Sequence, residues 1–350
     1  MSMAAEVDGK EPMTDGGRAA GGGATPPLLV VEKLSIELGP PGKRARVVDE
    51  ISFVINEGEV LSLAGESGSG KTMTALAIVG LLPQGATVTG SIRFCGQELV
   101  NCSATQIRTV RGGGVGIIFQ EPMTSLHPSK RVGTQVAEVF KVQEGSRRKR
   151  AWSQAVEMLE MAGIPHAAER AHQYPHELSG GLQQRVAIAI ALAGHPSLII
   201  ADEPTTALDT TVQAQVMERL RVLREELNVA VLFISHDLAI ISELSDRIAV
   251  MYSGRVIEEG LIHDIYTRPE HPYTEMLLSA VLGDGVLKEP KPAATSVRPG
   301  QGCAFYPRCP HGIEACIESQ PPPEHRLTDG SVRCIRHTDL NLSGVHGTEE

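Results

Sequence analysis

The stretch Gly65-Glu66-Ser67-Gly68-Ser69-Gly70-Lys71-Thr72 decides the fold of this 350-residue chain. It matches in full a glycine-rich pattern that ends in Gly-Lys-Thr. The apolar run 60–64 precedes it, and a helical pattern from Lys71 to about Leu82 follows it. The sequence therefore predicts a buried strand, a tight loop and a helix, which is the context in which such a loop cradles phosphate groups.

The residue types in this loop explain the chemistry that it supports. Glycines let backbone N–H groups converge on phosphate oxygens, because no side chain blocks the approach. The start of the following helix adds positive potential. We predict that Lys71 contacts the terminal phosphates of ATP and that the Thr72 hydroxyl ligates Mg²⁺. The predicted ATP-binding residues are Gly65, Ser67, Gly68, Ser69, Gly70, Lys71, Thr72 and Met73.

A second apolar strand, 198–201, is followed directly by two acidic residues, Asp202 and Glu203. Taken alone, two acids after an apolar run are more often a solvated strand end. The phosphate loop earlier in the chain favours another interpretation. We predict that Asp202 joins the Mg²⁺ shell and that Glu203 polarises the attacking water as a general base.

A third string is Leu178-Ser179-Gly180-Gly181-Leu182-Gln183-Gln184-Arg185. It predicts a helix that begins at Gly181, the second of two glycines that follow Ser179. The alternative interpretation is an ordinary serine cap. A helix start of this kind is a second anion site, although one ATP needs only one phosphate loop. The second site is explained if two such domains face each other and each seals the nucleotide of its partner. The residues predicted to reach the partner's ATP are Leu178, Ser179, Gly180, Gly181 and Gln183.

Taken along the chain, the strings at 65–72, 178–185 and 198–204 resemble the Walker A, signature and Walker B motifs, respectively, of ABC (ATP-binding cassette) ATPases. Gln120 is similar to that family's Q-loop glutamine, Ala207-Leu208-Asp209 to its D-loop, and His236 to its switch histidine. The resemblance implies that Gln120 senses Mg²⁺ and the membrane partner and that His236 contacts the γ-phosphate. On this basis the expected catalytic residues are Glu203, His236 and Gln120, and the expected Mg²⁺ ligands are Thr72, Gln120 and Asp202.

Two further strings resemble the dipeptide and oligopeptide importers within that family. They are the segment 120–128, which is similar to QDPMTSLNP, and His271-Pro272-Tyr273-Thr274-Glu275-Met276-Leu277-Leu278. The resemblance implies an ATP-hydrolysing subunit that works with a second ABC ATPase subunit, a paralogue or a second copy. It also implies two transmembrane permease subunits and, indirectly, an extracytoplasmic solute-binding protein. A nickel or other small-solute importer is the alternative.

The sequence departs from the family at two positions. Leu38 stands at the place we assign to the aromatic residue on which adenine usually stacks, so the base is held in some other way. Leu182 replaces a residue that is often polar or Met in the signature. Its neighbours are intact, and we expect no loss of function.

Composition and charge argue against a nucleic-acid-binding ABC ATPase. The formal net charge is -10 and only 3% of residues are aromatic, whereas phosphate backbones call for clustered Lys and Arg. A non-catalytic regulatory cassette is disfavoured because Glu203, His236 and the signature are all present. No apolar stretch approaches the roughly 20 residues of a membrane span, and the N-terminus lacks a secretory signal core. We therefore expect a peripheral subunit at the cytoplasmic face of the inner membrane.

Strands that alternate with helices predict an α/β fold. The expected architecture is a P-loop ABC ATPase core with a RecA-like parallel sheet, an N-terminal antiparallel β portion and a helical signature subdomain at about 121–180. The expected boundaries are a disordered tail at 1–27, the ATPase domain at 28–283, a Cys-containing extension at 284–337 and a tail at 338–350. One helix is predicted to place Val216, Leu220, Leu223 and Leu227 on one face.

Four cysteines, Cys303, Cys309, Cys316 and Cys334, lie in the Pro- and Gly-rich extension. Three interpretations stay open: a [4Fe-4S] cluster, a structural Zn²⁺ site and unconnected thiols. The paired spacing of regular zinc sites is absent, which favours the cluster. The segment is too short for a hydrophobic core of its own, so a metal would serve to hold it together.

Overall fold

The computed structural model describes residues 26–40, 42–120, 125–205, 209–281, 302–318 and 321–345. The predicted N-terminal tail falls almost wholly outside these residues, as do 282–301, which include the start of the predicted extension. The strands are β1 (Leu29–Leu38), β2 (Ala45–Ile55), β3 (Val60–Ala64), β4 (Thr87–Phe94), β5 (Gln97–Glu98), β6 (Val115–Ile118), β7 (Leu198–Asp202), β8 (Ala230–Ser235), β9 (Arg247–Tyr252), β10 (Arg255–Leu261), β11 (His325–Arg326) and β12 (Ser331–Val332).

Helices fill the connections between these strands. They are α1 (Lys71–Ile78), α2 (Ala104–Thr109), α3 (Val132–Glu144), α4 (Arg148–Met161), α5 (Ala167–Arg170), α6 (Gly180–Leu192), α7 (Thr210–Leu227), α8 (Leu238–Leu244), α9 (Ile262–Thr267) and α10 (Pro272–Val281). Helices α3 and α4 pack together ahead of the signature, in the region predicted to be a helical subdomain. In the portion of the chain that the structure describes, no helix is both long enough and apolar enough to cross a bilayer.

The larger sheet places the site. Its strand order is β11-β12-β10-β9-β3-β8-β7-β6, and the strands from β9 to β6 are parallel. The carboxyl ends of parallel strands meet at one edge of a sheet, where ligands bind in open α/β folds. The phosphate loop after β3, Gln120 after β6, Glu203 after β7 and His236 after β8 therefore share that edge.

Both faces of this sheet are covered, because side chains that alternate along each strand enter two different hydrophobic clusters. In β3, Val60 and Ala64 belong to one cluster, while Leu61 and Leu63 belong to the other. Continuous apolar runs are the expected sequence of strands that are buried on both faces. The second sheet is antiparallel, as expected for the N-terminal β portion. Its order is β2-β1-β4-β5, and it packs its apolar face into the second cluster.

Two predicted helix boundaries are wrong. Helix α1 ends at Ile78 rather than near Leu82, because Gly80 takes the left-handed conformation (φ +62°) that stops the helix. Along the predicted face of α7, Val216, Leu220 and Leu223 are buried, and Leu227, the last residue of the helix, is 36% exposed. Helix α6 begins at Gly180, one residue before the predicted start.

The carboxyl-terminal extension continues the main sheet, because β12 pairs with β10. The His-Pro-Tyr string begins α10, and its start is held by a buried carboxylate. Glu258 accepts hydrogen bonds from the backbone N–H groups of Glu270 (2.6 Å) and His271 (3.1 Å). Burial raises the pKa of Glu258 to about 7 and lowers the pKa of His271 to about 3. The imidazole is therefore neutral at physiological pH and accepts the N–H of Tyr273.

Candidate active site

The phosphate loop joins β3 to α1 in the conformation that its glycines allow. Gly65 and Gly70 have φ angles of +146° and +107°. A Cβ on Gly65 would lie 2.2 Å from the carbonyl oxygen of Met251, and one on Gly70 would lie 2.8 Å from that of Val47. Only glycine meets both the dihedral and the spatial requirement at these positions.

Lys71 lies at the centre of the loop and is 5% exposed. Its ammonium group donates to the carbonyl oxygens of Gly65 (2.7 Å) and Glu66 (3.0 Å) and to the hydroxyl of Ser69 (3.4 Å). Burial lowers the pKa of Lys71, although the nearby carboxylates of Glu203 and Asp202 oppose that shift. The charged donor is thus directed into the loop, where phosphate oxygens can take over its hydrogen bonds.

Thr72 and Asp202 stand side by side, and the Thr72 hydroxyl donates to Asp202 Oδ1 at 3.3 Å. Asp202 is 6% exposed at the end of β7, and its burial raises the pKa of the carboxyl group while the Thr72 hydrogen bond opposes that shift. Hydroxyl and carboxylate oxygens are the ligands that Mg²⁺ prefers. The pair therefore fits the metal that the sequence predicted here.

Glu203 is the meeting point of three strand ends. Its carboxylate accepts a hydrogen bond from Gln120 Nε2 at 2.9 Å and lies 3.2 Å from His236 Nδ1. Glu203 also has a φ of +46°, which is unusual for a residue with a side chain, and its N–H donates to the carbonyl of Ile234. Strained conformations of this kind concentrate at functional sites. The three residues expected to be catalytic are thus in direct contact.

One open cleft of about 620 Å³ contains most of the predicted residues, a volume within the usual range for small-molecule sites. Its walls include Gly65, Ser67, Gly68, Gly70, Lys71, Thr72, Met73, Gln120, Glu203 and His236. Ser69, which is buried, and Asp202 support it from behind.

Three residues of the cleft were not selected from the sequence: Val47, Glu66 and Leu277. Glu66 occupies a variable position of the motif, and Val47 and Leu277 carry no chemical signal of their own. Val47 rather than Leu38 forms the wall, so the predicted position of the base-stacking residue is not in the cleft. The described lining residues include no aromatic ring other than the His236 imidazole.

The signature helix start lies outside this cleft. Ser179 and Gly180 are exposed, and Ser179 is the N-cap of α6 without a side-chain capping bond. Gln183 is buried beneath them and donates to the carbonyl oxygens of Pro175 (2.9 Å) and Leu178 (3.0 Å). A Cβ on Gly181 would lie 2.5 Å from the side chain of Val212. The signature is therefore the exposed start of α6, and the buried Gln183 and the close approach of Gly181 to Val212 support it from below.

The D-loop prediction is only partly covered by the structure, because Ala207 and Leu208 lie outside the described residues. Asp209 is the N-cap of α7, and its carboxylate accepts the N–H of Val212 at 2.9 Å. This bond orients the start of the helix that supports Gly181.

Cys303, Cys309, Cys316 and Cys334 line one small cavity of about 20 Å³ in the extension. Burial raises the pKa of Cys303 to about 11 and the pKa of Cys309 to about 12, so these thiols are neutral at physiological pH. Across the described residues, no group of three or more His, Cys, Asp or Glu side chains is arranged to hold a metal ion. The geometry brings the four cysteines together without forming a ready metal site.

Two regions of the chain match known families. Residues 48–206 match the family described as ABC transporter. Residues 257–316 match the family described as oligopeptide/dipeptide transporter, C-terminal region.

Individual relatives extend the match over most of the chain. The oligopeptide transport ATP-binding protein OppD of Salmonella typhimurium is 42% identical over 311 residues, which is 87% of this chain and 92% of the relative. The dipeptide transport ATP-binding protein DppD of Haemophilus influenzae is 42% identical over 323 residues, 91% of this chain and 97% of the relative.

Among solved structures, a dimeric bacterial ABC transporter cassette aligns with a TM-score of 0.60 and 28% identity, covering 67% of this chain and 98% of that one. CbiO1 of Clostridium perfringens, part of an ABC transporter complex, aligns with a TM-score of 0.59 and 26% identity, covering 74% of this chain and 96% of its own. The chain therefore belongs to the ABC transporter ATPases, within the family of oligopeptide and dipeptide transport ATP-binding proteins.

Proposed function

We propose that this chain binds and hydrolyses ATP to power an importer of dipeptides or oligopeptides. The observation that carries the proposal is the contact of Glu203 with both Gln120 and His236 in the cleft of Lys71. The relatives named for peptide transport support the choice of substrate class, since they match both the ATPase core and the carboxyl-terminal region.

The residues of the cleft divide the chemistry among them. The phosphate loop and Lys71 bind the triphosphate, and Thr72, Asp202 and Gln120 would hold Mg²⁺, which neutralises developing charge on the phosphates. Glu203 orients the attacking water and accepts its proton. His236, beside that carboxylate, contacts the γ-phosphate and keeps the glutamate side chain in place.

A second cassette completes the site in this proposal. Ser179 and Gly180 are exposed and do not line the cleft of their own chain, so they are available to cap the nucleotide of a partner. The bacterial cassette that aligns with this chain is a dimer, which supports the arrangement. The partner is a paralogous subunit or a second copy.

Membrane coupling is assigned to the Q-loop. Phe119 is 38% exposed next to Gln120, and exposed aromatic side chains are typical of protein interfaces. Two transmembrane permease subunits dock there, and a solute-binding protein delivers substrate to them from the other side. The chain is thus a peripheral subunit at the cytoplasmic face of the inner membrane.

Reconstitution in proteoliposomes tests the transport function. With permease subunits, partner ATPase and solute-binding protein present, we expect ATP-dependent peptide accumulation and several-fold stimulation of ATPase activity by peptide-loaded binding protein. Stimulation by a nickel chelate and not by peptides would instead support the alternative substrate. ATPase activity that responds to nucleic acid and to no membrane subunit would overturn the proposal.

We also propose that the four cysteines bind a [4Fe-4S] cluster, with Zn²⁺ as the alternative. The single cavity that all four side chains line supports this. Metal binding would have to displace the thiol protons.

Metal analysis of anaerobically purified protein checks this proposal. We expect about four iron and four sulfide per chain, lost in Cys316→Ser and retained in the exposed-cysteine control Cys95→Ser. About one zinc per chain would support the alternative. A protein that contains neither iron nor zinc would show that the four cysteines are unconnected thiols.

A further inference from the structure

The carboxyl-terminal extension touches the phosphate loop directly. The Arg308 guanidinium makes a two-pronged ion pair with Glu66, the second residue of the loop, with N–O distances of 2.9 and 2.8 Å. The two residues are 242 positions apart along the chain. Paired, parallel hydrogen bonds fix the orientation of both groups as well as their distance.

A second contact comes from Tyr273 in α10. The N–H of Glu66 donates to the Tyr273 hydroxyl oxygen at 3.0 Å. Tyr273 is fully buried, and its ring packs against Tyr252 and Phe305. Burial raises the pKa of Tyr273 to about 12, so the hydroxyl remains neutral across the physiological range. The backbone N–H of Glu66 is therefore hydrogen-bonded to a fully buried tyrosine.

Arg308 is itself held in position. It ends a short 3-10 turn, Tyr306–Arg308, and its guanidinium lies 6.0 Å from the ring centre of Tyr252 and 5.8 Å from that of Phe305. These distances are within the range of cation–π attraction. The Arg308 hydrogen bond also lowers the pKa of Glu66, so the pair stays charged at neutral pH.

Glu66 is thus held from two sides. On the inside of the loop, Lys71 donates to its carbonyl oxygen at 3.0 Å; on the outside, Arg308 and Tyr273 hold its carboxylate and its N–H. We propose that Arg308 and Tyr273 are positioning residues that keep the phosphate loop in its ATP-binding shape. This inference rests on the proposed ATPase function and extends it, because it makes the extension part of the nucleotide site.

A purely structural role predicts something different. If the ion pair only attached the extension to the core, its loss would lower thermal stability without a selective effect on nucleotide binding. A positioning role raises the Kd and KM for ATP and leaves kcat nearly unchanged, since Glu203 and His236 follow other strands and do not depend on the Arg308 contact.

Substitution of Arg308 by Ala tests the proposal in the assembled transporter. We expect the KM for ATP to rise about three- to tenfold and kcat to change by less than about twofold. A rise of this size corresponds to the free energy of a partly exposed ion pair. Tyr273→Phe should raise KM by a similar factor. Arg333→Ala is the matched control, because it removes an ion pair to Glu324 at 2.9 Å within the same extension without contact to the loop.

A double-mutant cycle separates coupling from general damage. The double variant Arg308→Ala, Glu66→Ala should raise the KM for ATP no more than either single change does. The charge-swapped variant Arg308→Glu, Glu66→Arg should recover part of the affinity for ATP. If Arg308→Ala fails to fold, Glu66→Gln provides the same measurement.

Unchanged Kd and KM in a folded Arg308 or Glu66 variant, with active wild-type protein, would overturn the positioning role alone. Wild-type protein that neither binds nor hydrolyses ATP would instead overturn the proposed function.

Discussion

Replacement of Glu203 by Gln lowers ATP turnover by at least about a hundredfold, the usual contribution of a general base, and leaves ATP binding intact. Gln has the same shape, and its amide oxygen can accept from Gln120 Nε2 while its amide N–H donates to His236 Nδ1, so the cleft keeps its geometry. What it lacks is a carboxylate that can accept the proton of the attacking water. Steady-state ATPase assays and binding of a non-hydrolysable analogue measure the two effects separately.

This variant should also accumulate as an ATP-bound dimer, visible by size-exclusion chromatography. Glu225→Gln is the matched control, since Glu225 is an exposed glutamate on α7 that pairs with Arg221 and does not line the cleft. Turnover within tenfold of wild type in the Glu203 variant would contradict the assigned role.

Ser179→Phe and Lys71→Ala should both abolish turnover in the assembled complex, and they should differ sharply in the isolated chain. Lys71 is buried in the loop, so its loss weakens ATP binding by about a hundredfold or more, as for a charge-assisted contact in a buried site. Ser179 is exposed and does not line its own cleft, so Phe there leaves binding to the isolated chain unchanged. Isothermal titration with ATP and ATPase assays of the complex give the comparison.

The contrast between these two variants is specific to a site shared by two cassettes. Because Ser179 makes no side-chain capping bond, its replacement removes no contact that supports α6. If Ser179→Phe weakened ATP binding to the lone chain as much as Lys71→Ala does, each protomer would hold its nucleotide by itself and the shared pocket would be wrong.

Several features of the molecule follow from local sequence. The glycines of the phosphate loop, the strand before it and the helix after it are contiguous, so their geometry depends on short-range sterics and hydrophobic periodicity. The two acids after the apolar run of β7 are equally local. The roles of Gln120 and His236 were predicted from the resemblance to a family. Considered one at a time, these two residues look like ordinary polar residues.

Tertiary structure alone decided which distant residues meet. Gln120 and Glu203 are 83 positions apart, and Glu66 and Arg308 are 242 apart, yet both pairs are in contact. The order of parallel strands brings the first pair together, and the pairing of β12 with β10 places the extension beside the core. The same packing put Val47, rather than Leu38, in the wall of the cleft. Local periodicity carries no information about strand order. The phosphate loop could therefore be predicted from the sequence, whereas the contacts of Arg308 and Tyr273 with Glu66 could not.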